Sequence, residues 1–251
     1  MPNKNKILFI SGPTAIGKSS FAIEIANYIN GEIINADSMQ VYKELKILTA
    51  RPQKDDLKKI NHHLYGHRNG DLRYNVFDWC KDCTNKIINI TSKKKLPIIV
   101  GGTGLYFLSI INGISKIPHI PEKIKKESNL LLKKLGWETF FELTKKIDKE
   151  SCLKIKKNDS QRLKRIWEVF FFTKIPLSEW NKREKKYFIK DYKYKLLLIL
   201  PEQKKIYQKS DQRVLQMIKN GAIEEVKNLL KKNYDSSLPI MKAHGVPEIN
   251  K

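Results

Sequence analysis

Residues 12 to 19, GPTAIGKS, match the spacing G-x-x-x-x-G-K-[ST] at every position. The chemistry open to such a run is anion binding. Glycines let the backbone wrap a phosphate so that successive N–H groups point inward, and a helix starting at the end of the run adds positive potential. Gly12, Pro13, Thr14, Ala15, Ile16 and Gly17 would form the cradle, Lys18 would add a point charge, and the Ser19 hydroxyl could ligate Mg²⁺. An ATP-binding, nucleotide-hydrolysing site is the first expectation. Such a site also needs an acidic residue at the end of a neighbouring strand. LPIIV (96–100) runs into Gly-Gly-Thr, and KLLLIL (195–200) runs into Pro-Glu, which leaves Glu202 awkwardly placed. The remaining carboxylate is Asp37, following EIINA (32–36) and inside DSMQVY. It stands as a metal ligand, as a base, or as a turn or helix-capping residue. GGTG (101–104) is a second strand-to-turn element, in which two glycines permit close backbone approach and Thr103 presents a hydroxyl.

These groups meet only if their strands lie side by side. KILFIS (6–11), EIINA, LPIIVGG (96–102) and KLLLIL read as buried strands, each closed by a turn signal. Between them, 18–29 carries Phe21, Ile25 and Tyr28/Ile29 at helical spacing, with Asn30-Gly31 as a stop. LYFLSIING supplies a helix after the third strand. Strand, turn and helix in repetition give an α/β fold, a P-loop NTPase-like parallel sheet flanked by helices. From 116 to 190 the pattern changes to Lys-rich amphipathic stretches without a buried strand. The expected organisation is a core of 1–115 and 191–251 with an all-helical insertion at 116–190. DQRVLQMIKNG and AIEEVKNLLKK read as two late helices broken at Gly221.

The 251 residues carry a formal charge of +23. Residues 1–115 hold 16 Lys+Arg and 9 Asp+Glu, a net +7, so the remainder carries +16. A basic excess favours a polyanionic partner, because neutralising phosphates releases counterions. Lys outnumbers Arg 42 to 7, so AT-rich coding is a second reading of the same excess. Three cysteines exclude a disulfide scaffold. Cys80 and Cys83 form a lone C-x-x-C near His62, His63 and His67; small thiols on a helix are preferred to a zinc site, since no second pair supports one. No apolar run has the length of a membrane span, and MPNKNKILFISG reads as a strand rather than a leader, so a cytoplasmic protein is expected.

In combination, GPTAIGKS, DSMQVY, TARP, HHL, VGGTGLYF, NDSQRLKRIWEVF and AHGVPEI resemble the tRNA dimethylallyltransferases, also called tRNA isopentenyltransferases, in the family's order and over nearly the whole chain. The resemblance implies that the loop holds the diphosphate of dimethylallyl diphosphate, and that no phosphoryl group moves. The prenyl group would pass to N6 of the adenosine 3′ to the anticodon, and diphosphate would leave. Lys18 and Mg²⁺ on Ser19 would stabilise the leaving group, Asp37 would take the amine proton, and Thr103 would bond near the bridging oxygen. Arg165 would reach the diphosphate or the RNA. Asp37, Ser38, Met39, Gln40 and Thr103 would meet the flipped adenine, and Lys125, Gln161, Arg162, Leu163, Lys164 and Arg165 the tRNA. The insertion would clamp the anticodon arm, and the enzyme is expected as a monomer.

Two departures from the family pattern stand out. Ile16 occupies a position where members commonly carry a small or hydroxylated residue; it either fills space or narrows the pocket. Members usually continue past the Gly-Val-Pro-Glu-Ile region, so a shortened C-terminal region with weaker tRNA affinity is the expectation. A P-loop kinase and an RNA-binding protein with a vestigial site are the competing readings. The kinase leaves the basic insertion and Gly-Gly-Thr unexplained.

Overall fold

The computed structural model describes residues 5–250. The chain divides into two compact units: one holds the residues up to Asn112 and those from Phe188 onward, the other Gly113–Tyr187.

The first unit begins with β1 (Lys6–Ser11), α1 (Lys18–Tyr28), β2 (Gly31–Asn35), α2 (Lys54–Lys59), β3 (His62–His63), α3 (Val76–Ser92), β4 (Leu96–Gly101) and α4 (Gly104–Asn112). The second unit holds β5 (Ile114–Ser115), α5 (Glu122–Ile147), α6 (Lys149–Cys152), α7 (Ser160–Thr173), α8 (Leu177–Lys182) and β6 (Lys185–Lys186). The chain then returns to the first unit with β7 (Lys193–Leu198), α9 (Gln203–Lys219), α10 (Ala222–Leu230), a 3-10 turn at Pro239–Lys242 and α11 (Val246–Ile249).

The first unit is a parallel sheet in the order β3-β2-β4-β1-β7. Its registers level the strand ends: Ser11 pairs with Gly101, and Asn35 with Val100. Two surfaces differ from the sequence expectation. On α1 the buried residues are Ala22, Ile23 and Ala26, while Phe21 and Tyr28 are exposed. Small side chains let the helix lie close on the sheet, and only Ile25 and Ile29 of the expected stripe pack against that core. The run 195–200 reads as a buried strand; β7 is instead an edge strand whose residues are all exposed, Leu196 and Leu198 included. Pairing to β1 on one side satisfies its ladder without covering its faces.

Within the second unit, α5 and α7 bury Phe140, Leu163, Ile166 and Trp167 against Cys152. Asp148 joins its shorter helices, accepting hydrogen bonds from Ser151 N and Ser178 N. The only strands in this unit among the described residues are β5 and β6, an antiparallel pair of two residues each, which joins its two ends.

A buried carboxylate pins β2. Glu32 accepts hydrogen bonds from Lys95, His63 and Asn61 at 2.7–3.0 Å. Burial alone would raise its pKa; these bonds outweigh that and hold it near 2, against an ordinary value of 4.5. The charged form is therefore favoured by folding. Its contribution is complete above about pH 4.5 and is lost as pH falls towards about 2. Glu32→Gln should cost about 2 kcal/mol at neutral pH and flatten the acid limb in urea unfolding. Parallel acid limbs in the two proteins would contradict this assignment.

Candidate active site

The site is assembled from strand ends. After β1 the chain turns through Gly12 at φ 155° and Gly17 at φ 90°, and α1 starts at Lys18. A Cβ on Gly12 would lie 2.5 Å from Ile199 O and 2.7 Å from Ile16 Cδ1. Ile16 thus fills the space beside Gly12, and it is absent from the lining of the main cavity. At the end of β4, a Cβ on Gly101 would fall 2.1–2.8 Å from the backbone of Ala36. Only glycine lets the ends of β2 and β4 come this close. The chain then crosses: Thr103 N donates to Ala36 O, and Ser38 N donates to Thr103 Oγ1 at 3.1 Å. With Oγ1 accepting from the backbone, the Thr103 hydroxyl proton remains available to donate.

Asp37 is held by its neighbours. Asn35, fully buried, accepts from Asp37 N through Oδ1 and donates through Nδ2 to Asp37 O and Leu64 O. Trp79, stacked on Tyr106 at 4.4 Å, donates to Asn35 O. Asp37 Oδ1 accepts from Met39 N and Gln40 N at 2.9 and 3.3 Å. Its Oδ2 has no hydrogen-bond partner among the described residues. The turn-residue reading thus accounts for Oδ1, and Oδ2 is left uncommitted.

These groups line one cavity of about 960 Å³. One wall is polar, from Gly12, Pro13, Thr14, Ala15, Lys18, Asp37, Ser38, Gly102 and Thr103. The rest of the lining is largely apolar, from Leu48, Val214, Met217, Ile218, Ala222, Ile223 and Ile249, with Ser210, Arg213, Lys242, His244 and Glu248 among them. Lys18 Nζ donates to Pro13 O. Arg213, on α9, points its Nη1 at Thr14 Oγ1 at 3.5 Å. Burial, then the charge of Arg213, press the pKa of Lys18 down to about 8, and Asp37 opposes them. Burial likewise lowers Arg213, and Asp37 raises it. Two desolvated cations beside a glycine-bearing turn at a helix N-terminus suit a highly charged anion.

Of the residues expected at the site, Gly17 and Ser19 are exposed and do not line the cavity. The Ser19 hydroxyl has no hydrogen-bond partner among the described residues, so it is free to serve as a hard oxygen ligand. Gln40 also lies outside the lining, its side-chain amide donating to Thr49 O and Ala50 O. The second unit holds the remainder. Gln161 and Arg162 are exposed on α7, Lys164 donates to Asn129, and Lys125 pairs with Glu122. Burial lowers the pKa of Arg165, with Glu168 opposing. Leu163 corrects the expectation of an RNA contact: its side chain is fully buried in that unit's core. Cys80 and Cys83 are buried in α3, where burial raises both thiols. His63 is committed to Glu32, and among the described residues no group of three or more His, Cys, Asp or Glu is placed to hold a metal.

Arg213 belongs to none of the sequence motifs. Its signal is a cation on an apolar helical stripe, beside Val214 and one turn before Met217 and Ile218.

A family model described as IPP transferase matches residues 40–251. The tRNA dimethylallyltransferase of Pelagibacter ubique is 45% identical over 249 residues, which span 99% of this chain and 79% of the relative. The chain belongs to the IPP transferase family. The tRNA dimethylallyltransferase of Ehrlichia chaffeensis is 40% identical over 98% of this chain and 80% of its own length. A eukaryotic dimethylallyltransferase acting on tRNA superposes with a TM-score of 0.83 at 28% identity, covering 98% of this chain and 63% of that one. The tRNA isopentenylpyrophosphate transferase of Bacillus halodurans gives 0.67 at 28% identity, covering 98% and 77%. This chain therefore spans about four fifths of the curated relatives' length and under two thirds of the eukaryotic enzyme's. Both structural neighbours share the P-loop NTPase-like sheet. No helix among the described residues is long and apolar enough to cross a membrane.

The charge of Lys18 is lost as pH rises through about 8. Affinity for inorganic pyrophosphate, measured calorimetrically, should therefore fall across that pH. In Arg213→Gln, which removes a repelling cation, the fall should move to higher pH. An unmoved limb would show that Lys18 does not govern it.

Proposed function

We propose that this protein transfers the dimethylallyl group of dimethylallyl diphosphate to N6 of the adenosine 3′ to the anticodon of tRNA. One observation carries the reading: an anion cradle, a carboxylate with an uncommitted oxygen and a largely apolar wall face the same cavity.

The diphosphate lies in the loop, on backbone N–H groups, Lys18 and Arg213. The prenyl chain rests against Leu48, Met217, Ile218 and Ile223. Extruding an adenine costs about a few kcal/mol, least in a loop where stacking is weak, and Ser38 and Met39 face its path. The amine nitrogen attacks the prenyl carbon that bears oxygen. The carbon–oxygen bond breaks, its electron pair leaves on the diphosphate, and Asp37 Oδ2 takes the amine proton. Thr103 donates its hydroxyl to the bridging oxygen as charge grows there. Mg²⁺, held by Ser19 and phosphate oxygens, would supply further charge neutralisation. Lys125, Gln161, Arg162 and Lys164 of the helical unit bind the tRNA anticodon arm. The same reading makes the enzyme a cytoplasmic monomer.

Single-turnover assays with Mg²⁺, labelled dimethylallyl diphosphate and unmodified tRNA test this directly. Wild type should label the tRNA. Asp37→Ala should lower the rate by about 10²–10⁴-fold with tRNA binding intact. An undiminished rate in the variant would remove Asp37 as the base, and an unlabelled tRNA in the wild type would sink the function.

A further inference from the structure

Apart from Ile249, the apolar side chains of the cavity's largely apolar lining lie outside the sequence motifs. They come from α9, α10, α11 and the loop around Leu48, and one side chain ties these parts together. Glu225, in the first turn of α10, accepts hydrogen bonds from three successive backbone amides. Lys46 N reaches Oε1 at 2.7 Å, Ile47 N reaches Oε1 and Oε2 at 2.8 and 3.0 Å, and Leu48 N reaches Oε2 at 2.8 Å. Successive amides converging on one point make an anion nest, here filled by a carboxylate of the same chain.

The loop so held touches both walls. Leu48 and Thr49 line the cavity. Thr49 O and Ala50 O receive the Gln40 amide, and Gln40 N donates to Asp37 Oδ1. On the other side, α10 contributes Ala222 and Ile223 to the apolar wall. Leu48 also packs on the backbone at Gly245, where a Cβ would lie 2.6 Å from its Cδ1. A chain of hydrogen bonds thus joins α10, through the loop and Gln40, to the turn that holds Asp37.

We propose that Glu225 is a positioning residue which fixes the apolar wall and so sets which diphosphate donor the cavity prefers. The proposal rests on the prenyl-transfer reading. Glu225 acts only through the loop: it is not part of the cavity lining. A purely structural support would lower stability and activity together. A positioning residue also changes which donor is preferred.

Glu225→Gln keeps the shape but replaces one accepting oxygen with an NH₂ group that opposes the loop amides. Wild type and variant would be assayed with unmodified tRNA and either dimethylallyl or geranyl diphosphate, alongside thermal melting. The expected result is a KM for dimethylallyl diphosphate raised about tenfold, with the KM for tRNA unchanged. The geranyl-to-dimethylallyl ratio of kcat/KM should rise by about tenfold. An unchanged ratio in a folded variant overturns the proposal, whatever happens to the overall rate. Should Glu225→Gln not fold, Glu225→Asp keeps the charge and withdraws it by one methylene; the same ratio decides, and an unchanged one again overturns the proposal. Absence of transfer in the wild type overturns the prenyl-transfer reading and this inference with it.

Discussion

The ends of β2 and β4 approach so closely that no side chain fits between them, and the site depends on that approach. Gly101 sits against the backbone of Ala36, and the next residues cross over through Thr103 N and Thr103 Oγ1. Level registers to β1 bring the phosphate loop to the same edge. Asp37, Thr103 and Lys18 are far apart in the chain, yet they share one cavity because three strands end together. Binding at the carboxyl ends of parallel strands follows from that arrangement.

The two halves of the cavity divide the work of a reaction that separates charge. Backbone amides, Lys18 and Arg213 meet an anion, while the apolar half suits a hydrocarbon. Asp37 is bonded through one oxygen only, so it is oriented and still able to take a proton. On the prenyl-transfer proposal, a phosphate-binding loop in this setting serves to stabilise a leaving group. Nothing in that role requires a phosphoryl group to be transferred.

What the sequence disclosed and what it hid have physical reasons. The loop, the Gly-Gly-Thr turn and Asp37 were legible because each answers a local demand: a positive φ, a close approach, a strand end. Arg213, Asn35 and Glu225 were not, because their roles exist only through partners brought near by the fold. Glu225 meets a loop 177–179 residues away. The parallel sheet and the burial of β1, β2 and β4 were readable from apolar runs, but the burial of the fourth run and of α1 was not. KLLLIL has the composition of an interior strand, yet its residues up to Leu198 belong to an exposed edge strand. On α1, alanines rather than aromatics face the sheet. Leu163 shows the reverse error, a motif residue that is simply core.

The fate of the phosphates tests the central claim most directly. Dimethylallyl diphosphate labelled in its terminal phosphate would be incubated with the protein, Mg²⁺ and unmodified tRNA, and the released label identified by chromatography. The account predicts pyrophosphate, released in step with prenyl transfer and dependent on tRNA. Label appearing as orthophosphate, or carried onto an acceptor, would mean that the loop serves phosphoryl transfer, and would contradict it.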